Sequence, residues 1–96
     1  MENGPRSTAG DGTRTAPAEV TVRYWAGARA AAGVEAETRP AAPTVGELAR
    51  ALRADHPALV PVLEVSTLLV DGRAAGPDTV LDPGAQVEVL PPFAGG

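Results

Sequence analysis

The chain has 96 residues and a net charge of −4; eight arginines supply all of its positive charge, and it has neither lysine nor cysteine. That length allows one domain burying roughly 60–65% of its unfolded surface, too thin a core to wall off an enclosed active site. An acidic balance without a basic patch excludes nucleic acid and anionic membranes as expected partners, and the missing cysteine excludes disulfides, thiolate metal sites and a sulfur-bearing thiol.

Residues 1–18 are rich in Gly, Pro, Ser, Thr and Ala without apolar periodicity and are expected to be a disordered extension. They contain no apolar stretch of the signal-peptide kind, and no run approaches the roughly 20 apolar residues of a membrane span. A cytoplasmic location is therefore expected, with a folded domain over 19–92 and a flexible tail over 93–96.

Residues 20–25 alternate and are predicted to form a strand, with Val20, Val22 and Tyr24 on one face and Thr21, Arg23 and Trp25 on the other. Residues 26–33 read as a small-residue connection, and 34–39 as a second strand at an edge. Thr44 fits a helix N-cap, with Glu47 at the capping-box spacing. Val45, Leu48, Ala49 and Leu52 then make one apolar stripe, and Pro57 ends the helix near Asp55 or His56. Leu59 and Leu63 extend the core through an irregular turn. Residues 67–70 are a third strand followed by the Asp71-Gly72 hairpin turn. After the turn at Asp82-Pro83-Gly84, residues 86–90 form the last strand, with Val87 and Val89 facing in, and Pro91-Pro92 stop the ladder. One helix covering one face of a mixed sheet gives an α+β fold with the other face open.

Two features could carry function. The first is the tail Phe93-Ala94-Gly95-Gly96. Glycines lack a Cβ and can thread a narrow channel, while the two prolines stiffen the exit from the domain. A slim arm tipped by a carboxylate suits delivery into another protein's active site; composition alone equally allows an inert terminus. The second is the open sheet face, where Trp25, Leu69, Leu90 and Phe93 could form an apolar contact surface near the base of the tail; Trp25 packed as ordinary core is the alternative. His56 reads as a residue accommodated by a helix C-terminus, without a ligand role. One histidine and no cysteine cannot build a structural zinc site. No carboxylate pair, nucleophile–base pair or phosphate loop is visible.

With these residues in view, the chain over about 19–96 resembles the MoaD/ThiS family of ubiquitin-like, β-grasp sulfur carriers. The likeness lies in Tyr24-Trp25-Ala26, in Thr44-Val45-Gly46-Glu47-Leu48, and in Leu68-Leu69-Val70-Asp71-Gly72. It continues in Leu81-Asp82-Pro83-Gly84 and in the closing Val89-Leu90-Pro91-Pro92-Phe93-Ala94-Gly95-Gly96. The double proline before Gly-Gly is most similar to the MoaD branch, the small subunit of molybdopterin synthase.

The resemblance implies that an adenylating (MoeB/ThiF-like) enzyme binds the open face and uses ATP to convert the Gly96 carboxylate to an acyl-adenylate. A donor such as a cysteine desulfurase or rhodanese then supplies sulfur, leaving a C-terminal thiocarboxylate. A MoaE-like large subunit would receive the tail in a heterotetramer of two small and two large subunits, where the sulfur goes into the molybdopterin dithiolene. Gly96 would hold the sulfur and Gly95 give passage. Trp25, Leu69, Leu90, Pro91, Pro92, Phe93 and Ala94 would form the partner interface, weakened by a small Ala74 where relatives can carry a larger apolar residue. No permanently bound cofactor or metal is implied. Three other readings stay open: a related carrier serving thiamin, cysteine, tRNA thiolation or natural products; a covalent modifier attached to lysines of other proteins; and an interaction module with an inert tail. The chain itself offers no lysine amine to such a modifier.

Overall fold

The computed structural model describes residues 18–92. The remainder of the expected extension, and with it Phe93, Ala94, Gly95 and Gly96, lies outside the described residues.

The first strand, β1 (Glu19–Tyr24), alternates as expected: Val20, Val22 and Tyr24 are buried, because side chains two apart on a strand share a face. It pairs antiparallel with β2 (Ala36–Pro40) and parallel with β5 (Gln86–Leu90). On its other side β5 pairs antiparallel with β3 (Thr67–Val70), which turns back into the two-residue β4 (Arg73–Ala74). The sheet order is β2-β1-β5-β3-β4. The second strand is thus an edge strand, as expected, although it begins at Ala36 rather than Val34. The β3–β4 turn has positive φ at both central residues, 49° at Asp71 and 85° at Gly72, the combination that matches the twist of a tight hairpin. Asp71 Oδ1 also accepts the Gln86 N–H at 2.9 Å, tying the turn to the start of β5.

The main helix, α2 (Val45–Asp55), begins and ends where its caps dictate. Thr44 Oγ1 accepts the Glu47 N–H at 3.3 Å, while the Glu47 carboxylate turns outward to Arg50 instead of closing the box. The two amides between Thr44 and Glu47 are satisfied by the 77–79 loop: Val45 N–H bonds Thr79 O and Gly46 N–H bonds Pro77 O, both at 2.9 Å. That approach favours a glycine, since a Cβ on Gly46 would sit 3.1 Å from Pro77 O and push the loop back by a few tenths of an ångström. Val45, Leu48, Ala49 and Leu52 are the buried face of α2.

Two expectations are corrected. Residues 26–33 are not a connection but a helix, α1 (Ala26–Ala32), closed by Gly33 at φ 81° with its N–H on Arg29 O. Alanine is the best helix former, and a run of small residues lets this helix lie close to the sheet end with Ala28 fully buried. The irregular turn after Pro57 is a 3₁₀ turn (Pro57–Leu59) leading into α3 (Val60–Val65), each with proline in its first turn, where the missing N–H costs no bond. The expectation of a single helix therefore fails, although Leu59 and Leu63 are buried as expected. The core joins the inner faces of β1 and β5 to α2, α1 and the 3₁₀ turn. Among the described residues, no helix is long and apolar enough to cross a membrane.

Candidate functional site

The outer face of the sheet is built by register. Arg23 stands beside Ala36 on one side and Glu88 on the other, Glu88 beside Leu69, and Leu69 beside Ala74. These five residues form one row across all five strands, facing away from the helices because their neighbours Val22, Val87 and Val70 face in. The next row toward the end of β5 contains Leu90 and its partner Thr67. Trp25 follows the Tyr24–Val89 pair directly, and its N–H donates to Val89 O at 3.2 Å, which brings it alongside Leu90. The parallel pairing of β1 with β5 is what gathers Trp25 and Leu90 where the chain leaves the sheet at Pro91-Pro92.

Trp25 is 40% exposed, so it is not core. Its indole Nε1 donates to Glu88 Oε2 at 3.0 Å, and the Arg23 guanidinium carbon lies 5.9 Å from the ring centroid. That is within cation–π range, worth about 0.5–1 kcal/mol at an exposed site. Leu69 and Leu90 are half-buried, as is Pro91, and Pro92 is exposed. The apolar patch expected from the sequence has a charged neighbour: Glu88 stands between Arg23 and Leu69 within the first row. Ala74 is exposed and adds little apolar area. Phe93, Ala94, Gly95 and Gly96 lie outside the described residues. Among the described residues, no group of three or more His, Cys, Asp and Glu side chains could hold a metal ion.

A second polar cluster lies on the inner side, at the edge between β2 and the end of α2. Glu37 Oε2 accepts the Tyr24 hydroxyl and lies 2.7 Å from His56 Nε2. Arg39 Nη1 lies 3.6 Å from Glu37 Oε1, and Arg39 Nη2 reaches Asp55 Oδ2 at 2.5 Å. The Tyr24 and His56 rings meet edge to face, 6.0 Å apart at 76°. Burial, reinforced by the bond to Glu37 and its charge, pushes the Tyr24 hydroxyl well above its ordinary range. Burial would raise the Glu37 carboxyl, but hydrogen bonds from Tyr24 and His56 and the charges of His56 and Arg39 outweigh it and hold the group below the usual carboxylate range. His56 is thus tied to β2 as well as closing α2. The sequence signal for this was the alternation that puts Glu37 and Arg39 on the inner face of a strand. The cluster fastens the helix end to the edge strand.

The family model of the ThiS family matches residues 22–96. Among solved structures, SAMP1 from Haloferax volcanii is 25% identical, covering 81% of this chain and 99% of that one, with a TM-score of 0.71. A Pyrococcus furiosus protein assigned as subunit 1 of the molybdopterin converting factor is 26% identical over 79% of this chain and 99% of that one, with a TM-score of 0.72. A chain of the Helicobacter pylori complex of subunits 1 and 2 of the molybdopterin-converting factor is 25% identical, covering 81% and 99%, with a TM-score of 0.63. No curated protein matches in sequence. The mixed sheet and its helices share the ubiquitin-like β-grasp architecture of these structures. With the family match running from Val22 through Gly96 and the fold in common, the chain belongs to the ThiS family, within the MoaD/ThiS group of β-grasp proteins.

Proposed function

We propose that this chain is a sulfur carrier that serves in the cytoplasm as the small subunit of a molybdopterin synthase. The observation that carries the reading is the join between docking face and tail. β5 ends the Trp25–Leu90 row at Pro91, and the family match continues from there through Gly96. The complex formed by subunit 1 of the Helicobacter pylori converting factor with its subunit 2 supports a large-subunit partner of the MoaE kind.

In this reading a Gly96 carboxylate oxygen attacks the α-phosphorus of ATP on the adenylating partner, and pyrophosphate leaves. A sulfur nucleophile delivered by the donor attacks the acyl carbon, and AMP leaves with the carboxyl oxygen. Where that nucleophile is a donor persulfide, an acyl disulfide forms, and attack of a second donor thiol on its S–S bond releases the thiocarboxylate and leaves the donor as a disulfide. Gly95 lets the backbone pass a narrow channel, and Trp25, Leu69, Leu90 and the tail residues Pro91, Pro92, Phe93 and Ala94 make the contact that brings the tail into place. The absence of lysine leaves the activated carboxyl no side-chain amine within its own chain.

The test is incubation with ATP, the adenylating enzyme and a sulfur donor. Intact mass should show one oxygen exchanged for sulfur, and deletion of Gly96 should abolish the change. Addition of a MoaE-like subunit and cyclic pyranopterin monophosphate should then yield the dithiolene; failure of this step with a loaded carrier would assign the sulfur to another pathway. The similarity to SAMP1, a small archaeal modifier protein, favours one second reading: attachment of the same tail to lysines of other proteins. Gly-Gly remnants on target lysines would identify it.

A further inference from the structure

Glu88 lies at the centre of the outer face, between Arg23 on β1 and Leu69 on β3. It is the acceptor for the indole N–H of Trp25, at 3.0 Å. Arg23 is already engaged, with the Trp25 ring on one side and Glu35 Oε2 at 3.9 Å on the other. Glu88 forms no ion pair within 4.0 Å among the described residues, although Arg23 stands beside it in register, so its carboxylate has room for a further cation beside the tryptophan. A hydrogen bond that favours one orientation of an exposed indole narrows its rotamer freedom before any partner arrives, which removes part of the cost of docking. A carboxylate beside it is stabilised when a cation meets it, and a charged site of this kind discriminates among partners through repulsion as well as attraction.

We propose that Glu88 is the positioning residue for Trp25. We further propose that the adenylating partner receives this pair with an apolar slot for the indole and an arginine or lysine opposite the carboxylate. The proposal rests on the docking role assigned to this face above, and deepens it by naming the anchor's support and the partner's chemistry.

The experiment uses the full chain and two variants, Glu88→Gln and Glu88→Ala. Trp25 is the sole tryptophan, so intrinsic fluorescence reports this spot alone and needs no partner. Glu88→Gln keeps an acceptor for the indole and should leave emission maximum and anisotropy as in the wild type. Glu88→Ala frees the ring and should shift emission to the red and lower the anisotropy. A Glu88→Ala spectrum identical to the wild type, in a variant that circular dichroism shows to be folded, would overturn the positioning role.

The second readout is adenylation kinetics with ATP and the adenylating enzyme. Glu88→Gln should raise KM for the carrier roughly two- to fivefold, with kcat unchanged and a weaker dependence of KM on salt, as expected for loss of one ion pair at an interface rim. Glu88→Ala should raise KM further, again with kcat preserved. A KM and salt dependence for Glu88→Gln equal to the wild type would overturn the cation opposite Glu88. If the wild-type chain is not adenylated at all, the carrier reading fails, while the fluorescence comparison still decides whether Glu88 positions Trp25.

Discussion

Replacing Tyr24 with phenylalanine removes one hydroxyl and leaves the rest of a fully buried ring in place. The hydroxyl donates to Glu37, while the ring packs in the core and meets His56 edge to face, a contact phenylalanine retains. A hydrogen bond to a charged acceptor contributes about 1.5–3 kcal/mol. The Glu37 side chain is 24% exposed and keeps His56 and Arg39 as neighbours, so water and the remaining partners recover part of this. The expected loss is about 1–2 kcal/mol, which for a domain of this size lowers Tm by about 4–15 °C.

The pH dependence carries a sign. The Glu37 carboxyl is depressed, so its stabilisation is fully present above the ordinary carboxylate range and is lost as pH falls through the depressed folded value. The gap between wild type and Tyr24→Phe should therefore be widest at neutral pH and shrink in acid. On the alkaline side the Tyr24 hydroxyl is raised, first by burial and then by Glu37, so its stabilisation holds below the ordinary tyrosine range and is lost as pH rises beyond it. The phenylalanine variant should lack that alkaline loss. Urea unfolding across pH measures all three. A difference below about 0.3 kcal/mol at neutral pH, or a gap that does not narrow in acid, would refute the fastening role of the cluster, given charge-assisted bonds of ordinary strength.

Three further substitutions probe the scaffold. Thr44→Ala removes the N-cap of α2 and should cost about 0.5–1 kcal/mol in chemical denaturation, at the lower end for a cap because the bond is long. Leu52→Ala, at a side chain with no exposure, should cost about 2.5–5 kcal/mol and leave a chain close to unfolding at 37 °C by calorimetry. Gly72→Ala places a Cβ at φ 85° and should cost about 1–2 kcal/mol, read as a lower urea midpoint with unchanged slope.

Much of the fold is legible in the sequence where a local rule decides. Alternation marks β1 and β5 because each is buried on one face only. Thr44 marks the start of α2 because a side-chain oxygen is needed there, and Asp71-Gly72 marks the hairpin because both residues tolerate positive φ. The helix α1 escaped because its run of alanine and glycine has no large apolar stripe; its propensity, and the glycine after it, were the available signals. Pro57 reads as a breaker, although in a first turn proline obstructs nothing. The outer face was legible as a direction, since Trp25, Leu69 and Leu90 follow from alternation. Its charge was not, because placing Glu88 between Arg23 and Leu69 requires strand order and register, which are set by contacts across more than 60 residues. The Glu37–His56 pair, 19 residues apart, was hidden for the same reason.

The parallel pairing of β1 with β5 also sets when the molecule becomes competent. The first and last described strands lie side by side in the middle of the sheet. Val87 and Val89 complete the core from the same strand whose outer face carries Glu88 and Leu90. During synthesis, the sheet cannot close until β5 has left the ribosome, because contacts between distant segments form only after the intervening chain exists. A later local opening of β5 would strip the domain of its core and Trp25 of its support in a single event. In the function proposed above, folding and competence for docking are therefore one transition: a chain that has not finished folding lacks the paired surface through which its tail would be handed over.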